Sequence, residues 1–273
     1  MNDRPIGIFD SGLGGLTVLN AVHKLLPEEN LVYFGDSGRA PYGTKSKETI
    51  IKYTFQDINF LLGQNVKMVV IACNTASACS LESVREAYDI PIVEVVGPGA
   101  RAAARATKSG HIGVIGTPAT ISSGVYERAI RDILPTCHCE KKACPLFVPL
   151  VEEGWWGHEI SRLVAEEYLG KMKAVGVDSV VLGCTHYPLL SGVIQKVMGE
   201  QVVLINSARE VALAVRESLE RLGERRDSKG EPGEVKFYTS DSVDKFAALA
   251  GMFLDTPITS VEKVEIEKEA DRP

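Results

Sequence analysis

Residues 68–77 read MVVIACNTAS, and residues 179–188 read SVVLGCTHYP. Each is a short apolar run that reaches a cysteine and gives way at once to polar residues, Asn74-Thr75 in one and Thr185-His186 in the other. A continuous apolar run of this length suits a strand buried on both faces, the kind found in parallel sheets. Around these two, short β-branched runs at 7–9, 31–34, 92–96, 111–115 and 202–205 alternate with longer amphipathic stretches. That alternation predicts α/β architecture, with parallel sheets covered by helices.

Both runs belong to a longer repetition. IGIFDSG from Ile6 resembles IGVIGTP from Ile112, an offset of 106 residues, and VVIACNT from Val69 resembles VVLGCTH from Val180 at 111. Ala100-Arg101 resembles Ala208-Arg209 at 108. Three matches in the same order predict two related parallel-sheet domains with pseudo-twofold symmetry and an active site in the cleft between them. The second domain is expected over 97–207, entered through Gly97-Pro98-Gly99 as a linker, and the first over 1–96 plus 208–273. After 207 the pattern predicts a helix over 208–222, a charged loop over 224–234, a strand over 235–239 and a solvated tail beyond Val261.

The 273 residues suffice for two domains with proper cores. No apolar run approaches the ~18 residues a membrane helix needs, so no membrane association is expected. Thirty Lys and Arg against 36 Asp and Glu give a net charge of -6, which disfavours nucleic acid and leaves a small molecule as the expected partner. The N-terminus carries no secretion signal, so the chain is read as cytoplasmic and its six cysteines as reduced thiols.

A thiol at the end of a parallel strand sits where ligands bind in open α/β sheets, and the helix that follows favours its thiolate. Two such thiols, Cys73 and Cys184, at equivalent points of a repeat approach a shared cleft from opposite sides. Inverting a carbon stereocentre needs that arrangement: a base removes the proton from one face, and an acid returns one to the other. A thiol and a thiolate exchange those roles when the reaction reverses. Asp10 and Ser11 end the first strand at the cleft edge, and Gly12, Gly14 and Gly15 then allow close backbone approach to a ligand. Because two thiols stand where a cofactor enzyme would show a Schiff-base lysine, no cofactor and no metal are expected.

Taken together, FDSGLGGLTV (9–18), GDSGRAPYG (35–43), ACNTAS (72–77), VVGPGARAA (95–103), GVIGTPATI (113–121), VPLVEEG (148–154) and GCTHYPLL (183–190) resemble the bacterial glutamate racemases, within the wider aspartate/glutamate racemase family. The resemblance spans residues 6 to about 240 and places the catalytic cysteines of that family on Cys73 and Cys184. It implies that Asp10 assists Cys73, that His186 and Glu152 assist Cys184, and that glutamate is the substrate. It also implies that Asp10, Ser11, Tyr42, Gly43, Asn74, Thr75, Thr185 and His186 hold that substrate. A homodimer and a role in supplying D-glutamate for peptidoglycan follow from the same resemblance.

Three other readings compete. An aspartate racemase of the same family is separable only by testing both amino acids. A cysteine hydrolase would use Cys184 with a histidine and leave Cys73 spare. A metal or redox module could be built on TCHCEKKACP (136–145), with Cys137, His138, Cys139 and Cys144, although no second ligand pair accompanies it.

Overall fold

Ile6, Ile8 and Phe9 supply the apolar side chains of the first strand, β1 (Ile6–Asp10), which is buried along its whole length because sheet neighbours flank it and helices cover it. The computed structural model describes every residue except Met1, Lys229, Thr256, Pro257, Thr259 and 270–273. By its internal contacts the chain divides into two units, Met1–Val95 with Ala208–Pro273, and Val96–Ser207.

The first unit continues with α1 (Leu16–Leu25), β2 (Leu31–Gly35), two short 3-10 turns at Ser37–Arg39 and Tyr42–Thr44, α2 (Lys47–Gly63), β3 (Met68–Ile71), α3 (Asn74–Ala87) and β4 (Ile92–Glu94). The second holds α4 (Val96–Ala106), β5 (His111–Gly116), α5 (Pro118–Ser123), α6 (Val125–Ile133), β6 (His138–Ala143), α7 (Phe147–Glu152), α8 (Glu159–Ala174), β7 (Ser179–Gly183), α9 (Ser191–Met198) and β8 (Val203–Ile205). Then α10 (Ser207–Leu222), β9 (Val235–Thr239), α11 (Val243–Ala250), β10 (Glu262–Lys263) and α12 (Ile266–Glu269) complete the first unit.

Every strand pair in both sheets is parallel, as the alternation predicts. The first sheet runs β10-β9-β2-β1-β3-β4 and the second β6-β5-β7-β8, so the second repeats the order β2-β1-β3-β4 of the first. The register repeats too: Gly7 pairs with Val69, and Gly113 with Val180. A Cβ on Gly7 would come within 2.9 Å of Val66 and 3.2 Å of Leu61, and one on Gly113 within 3.1 Å of both Val177 and Met172. These neighbours are themselves 111 residues apart, so each glycine admits the corresponding helix, α2 or α8, at the same close distance. The repeat is therefore written in packing as well as in strand order.

A polar clasp lies where the strands of the first unit begin. Lys67 and Glu29 are buried, with Nζ 2.7 Å from Glu29 Oε2. The remaining protons of the ammonium go to the carbonyls of Asn2 at 2.8 Å and Glu224 at 2.7 Å, and Glu29 also accepts from the Arg226 amide. One buried cation thus ties the N-terminus to the segment after α10.

Two local expectations change. Gly97, Pro98 and Gly99 are not a linker but the first turn of α4, where proline has no intrahelical N–H bond to lose. Gly99 is small because a Cβ there would stand 2.8 Å from Ser207 Oγ. The tail beyond Val261 contributes β10 and α12, and Ile266 is buried; 270–273 lie outside the described residues. Residues 138–143 form β6, an edge strand of mixed exposure, which explains their polar composition.

Candidate active site

Asp10 closes β1 and is wholly buried. Its carboxylate accepts the Gly12 amide at 3.1 Å, while the Tyr33 hydroxyl donates to the Gly12 carbonyl at 2.8 Å, so the turn after β1 is held from both ends. Gly15 has to be glycine: a Cβ there would overlap Asp10 Cβ at 2.4 Å.

Cys73 follows β3 and caps α3, whose first turn contains the buried Asn74 and Thr75. The Ala76 amide donates to its sulfur at 3.5 Å, and the thiol points its proton at Ser11 Oγ, also 3.5 Å away. The helix terminus does not lower this thiol's pKa, contrary to expectation. Burial, and then the Asp10 carboxylate, push it well above the ordinary range and outweigh the hydrogen bonds from Ser11 and Ala76. Cys73 therefore carries its proton at neutral pH. Tyr42 and Gly43, in the turn beyond β2, are buried as well. The structure thus gathers Asp10, Ser11 and Cys73 at the ends of neighbouring strands, with Asn74 and Thr75 on the helix that Cys73 caps.

In the second unit Cys184 follows β7 just as Cys73 follows β3, but a 3-10 turn at Tyr187–Leu190 stands where the other half has a helix. Cys184, Thr185 and His186 are each less than 9 % exposed. His186 Nδ1 lies 3.9 Å from Cys184 Sγ, and its Nε2 lies 3.3 Å from Glu152 Oε1 at the end of α7. An imidazole set between a thiol and a carboxylate can hold and pass a proton. Gly183, before the cysteine, has no room for a Cβ, which would meet the Ile115 carbonyl at 2.6 Å.

Of the remaining cysteines, Cys137 and Cys139 lie at the start of edge strand β6, with sulfurs 3.7 Å apart, and Cys144 is buried just beyond that strand. Among the described residues no group of three or more His, Cys, Asp or Glu side chains is placed to hold a metal ion. None of the helices searched is long and apolar enough to cross a membrane. Sequence reasoning missed Tyr33, Asp36, Arg39 and Asp57, which hold the turns after β1 and β2 in the first unit. Asp57 was detectable, because it interrupts the apolar stripe of Ile50, Ile58 and Leu61 on α2.

Strand-end thiols at matching points of two parallel sheets, one beside an aspartate and the other beside a histidine–glutamate pair, characterise a class of racemases. The model of the Asp/Glu/Hydantoin racemase family matches residues 15–215, and the chain belongs to that family. It is an enzyme, an amino-acid racemase. The particular relatives are glutamate racemases: that of Geobacter metallireducens is 48% identical over 268 residues, covering 98% of this chain and 99% of its own. A solved glutamate racemase isoform from Bacillus anthracis superposes with a TM-score of 0.92 at 38% identity, over 97% of this chain and 98% of that one. The Francisella tularensis glutamate racemase, solved in complex with D-glutamate, gives a TM-score of 0.92 at 37% identity, over 98% and 100%.

Proposed function

We propose that this enzyme interconverts L- and D-glutamate without a cofactor, using Cys73 and Cys184 as the two bases. One observation carries the reading: each thiol ends a topologically equivalent strand and has its own polar assistant. Asp10 and Ser11 stand on the Cys73 side, His186 and Glu152 on the Cys184 side. In one direction the Cys184 thiolate takes the α-proton of L-glutamate, and the electron pair is delocalised into the α-carboxylate. The Cys73 thiol then delivers its own proton to the opposite face, leaving D-glutamate, a Cys184 thiol and a Cys73 thiolate. The reverse direction begins from that state.

The raised proton affinity of Cys73 suits the acid half of this cycle. Its thiolate forms beside an ionised Asp10 only when a cation compensates, and the substrate ammonium supplies one. Asp10, Ser11, Tyr42, Gly43, Asn74, Thr75, Thr185 and His186 hold the substrate, backbone N–H groups and hydroxyls meeting its two carboxylates. The enzyme works in the cytoplasm as a homodimer and feeds D-glutamate to peptidoglycan.

The test is incubation of L-glutamate in deuterated water without added cofactor, followed by α-proton NMR and optical rotation. Exchange accompanied by inversion supports the proposal; no exchange, or exchange with full retention, removes it. The Cys184–His186 contact also suits a cysteine hydrolase, and stoichiometric labelling by an acyl donor would favour that reading instead.

A further inference from the structure

Beneath the turn that carries Tyr42 and Gly43 lies a buried charge cluster that the reaction above does not use. Asp36, just after β2, and Asp57, in the middle of α2, are both wholly buried. Arg39 bridges them, donating to Asp36 Oδ2 at 2.7 Å and to Asp57 Oδ1 at 2.8 Å. The Tyr42 hydroxyl sits between the same carboxylates, 2.8 Å from Asp57 Oδ2 and in contact with Asp36 Oδ2. Ser240, from the loop after β9, donates to Asp36 Oδ1 at 2.7 Å, and the Arg39 guanidinium lies over the Tyr53 ring, 4.1 Å from its centroid.

The arrangement is expensive. Two carboxylates face one guanidinium, and a phenol has one hydrogen to give, so a negative charge is left over in a dry site unless a proton joins the cluster. Burial, and then the Asp36 charge, raise the Asp57 carboxyl well above its ordinary range, which is how that proton is retained. Apolar side chains of similar volume would pack there at lower cost. What they could not do is fix direction. Charged forks and a phenol at 2.7–2.8 Å hold the 36–43 segment in one orientation, whereas apolar packing tolerates sliding.

We propose that Asp36, Arg39 and Asp57 are positioning residues for the reaction: they lock the Tyr42 side chain so that the Tyr42–Gly43 backbone keeps the orientation in which it meets a substrate carboxylate. This rests on the reading of Tyr42 and Gly43 as substrate-binding. None of the three touches the reacting atoms, so their effect falls on binding rather than on proton transfer.

The experiment measures KM and kcat in both directions for Tyr42→Phe, Asp57→Asn, Arg39→Met and Arg39→Lys. Tyr42→Phe keeps the ring and loses only the hydroxyl, and it guards against a variant that fails to fold. The expected result is a KM raised about tenfold for both enantiomers, with kcat within about twofold of wild type. Arg39→Lys, which keeps the charge without the fork, should fall between Arg39→Met and wild type. Unchanged KM in folded variants, or a fall in kcat at constant KM, overturns the proposal. If the wild-type enzyme leaves the α-proton of glutamate in place, the proposed reaction fails, and amide hydrogen exchange over residues 36–46 then decides the cluster's role. Faster exchange there in Asp57→Asn upholds the lock, and unchanged exchange refutes it.

Discussion

His186 Nε2 lies 3.3 Å from Glu152 Oε1, and the histidine is buried while the Glu152 side chain is 45% exposed. Water screens a pair that open on one side, so it adds no more than about 1 kcal/mol to stability. In the proposed reaction it orients the imidazole whose Nδ1 faces Cys184. Glu152→Gln should therefore leave Tm nearly unchanged and lower kcat by a factor on the order of 10². The equilibrium constant between enantiomers is one, so kcat/KM must fall equally in both directions. A variant with wild-type kcat would remove Glu152 from the proton path.

Cys73→Ser and Cys184→Ser should each abolish racemisation, because a serine hydroxyl is far too weak an acid to supply the matching base. The surviving thiolate still reaches one face. Each variant should then eliminate HCl from only one enantiomer of a β-chloro glutamate analogue, and the two should choose opposite enantiomers, with Cys73 serving the D form and Cys184 the L form. Finding the same preference in both variants would show that the thiols are not opposed partners.

The Lys67–Glu29 pair makes a stability prediction away from the chemistry. Lys67→Met leaves Glu29 buried without its cation and strands the carbonyls of Asn2 and Glu224, at a cost of about 3–5 kcal/mol. Urea unfolding with an unchanged m-value measures it. Adding Glu29→Gln should recover part of the loss, since the neutral amide needs no buried counter-charge. A Lys67→Met midpoint equal to wild type would mean that the clasp is not coupled to global unfolding.

Stability should decline in alkali. Burial, first among the causes, raises the phenols of Tyr33, Tyr42 and Tyr187 well above 10.0, and it lifts the Cys144 thiol from 9.0 to about 12. The unfolded chain ionises these groups at their ordinary values while the folded chain keeps their protons, so unfolding releases protons. Their contribution is complete below pH 9.0 and is lost as pH rises beyond it. Circular dichroism should show Tm falling between about pH 9 and about pH 12. A flat Tm across that interval contradicts the assignment.

Tyr42 shows where sequence reading of the site stopped. GDSGRAPYG marks a turn, and resemblance placed Tyr42 among the substrate-binding residues, yet its hydroxyl is spent on Asp36 and Asp57. A turn motif records which backbone shapes are allowed. It does not record which carboxylate from a helix beginning a few residues later will lie beneath it.

The sequence by itself determined the class of fold, because strands buried on both faces must be apolar throughout and the covering helices must carry an apolar stripe. It also singled out two of the six cysteines, since repetition put them at the same point of the same unit. Tertiary structure alone decided that 97–99 is helix rather than linker, that 138–143 pairs as an edge strand, and that the Cys73 thiol holds its proton more tightly than free cysteine. Each of these depends on what distant residues bring to the site: Ser207 against Gly99, β5 beside β6, and Asp10 beside a thiol 63 positions away. Burial and Coulomb energy act through space, and local pattern along the chain carries little trace of them.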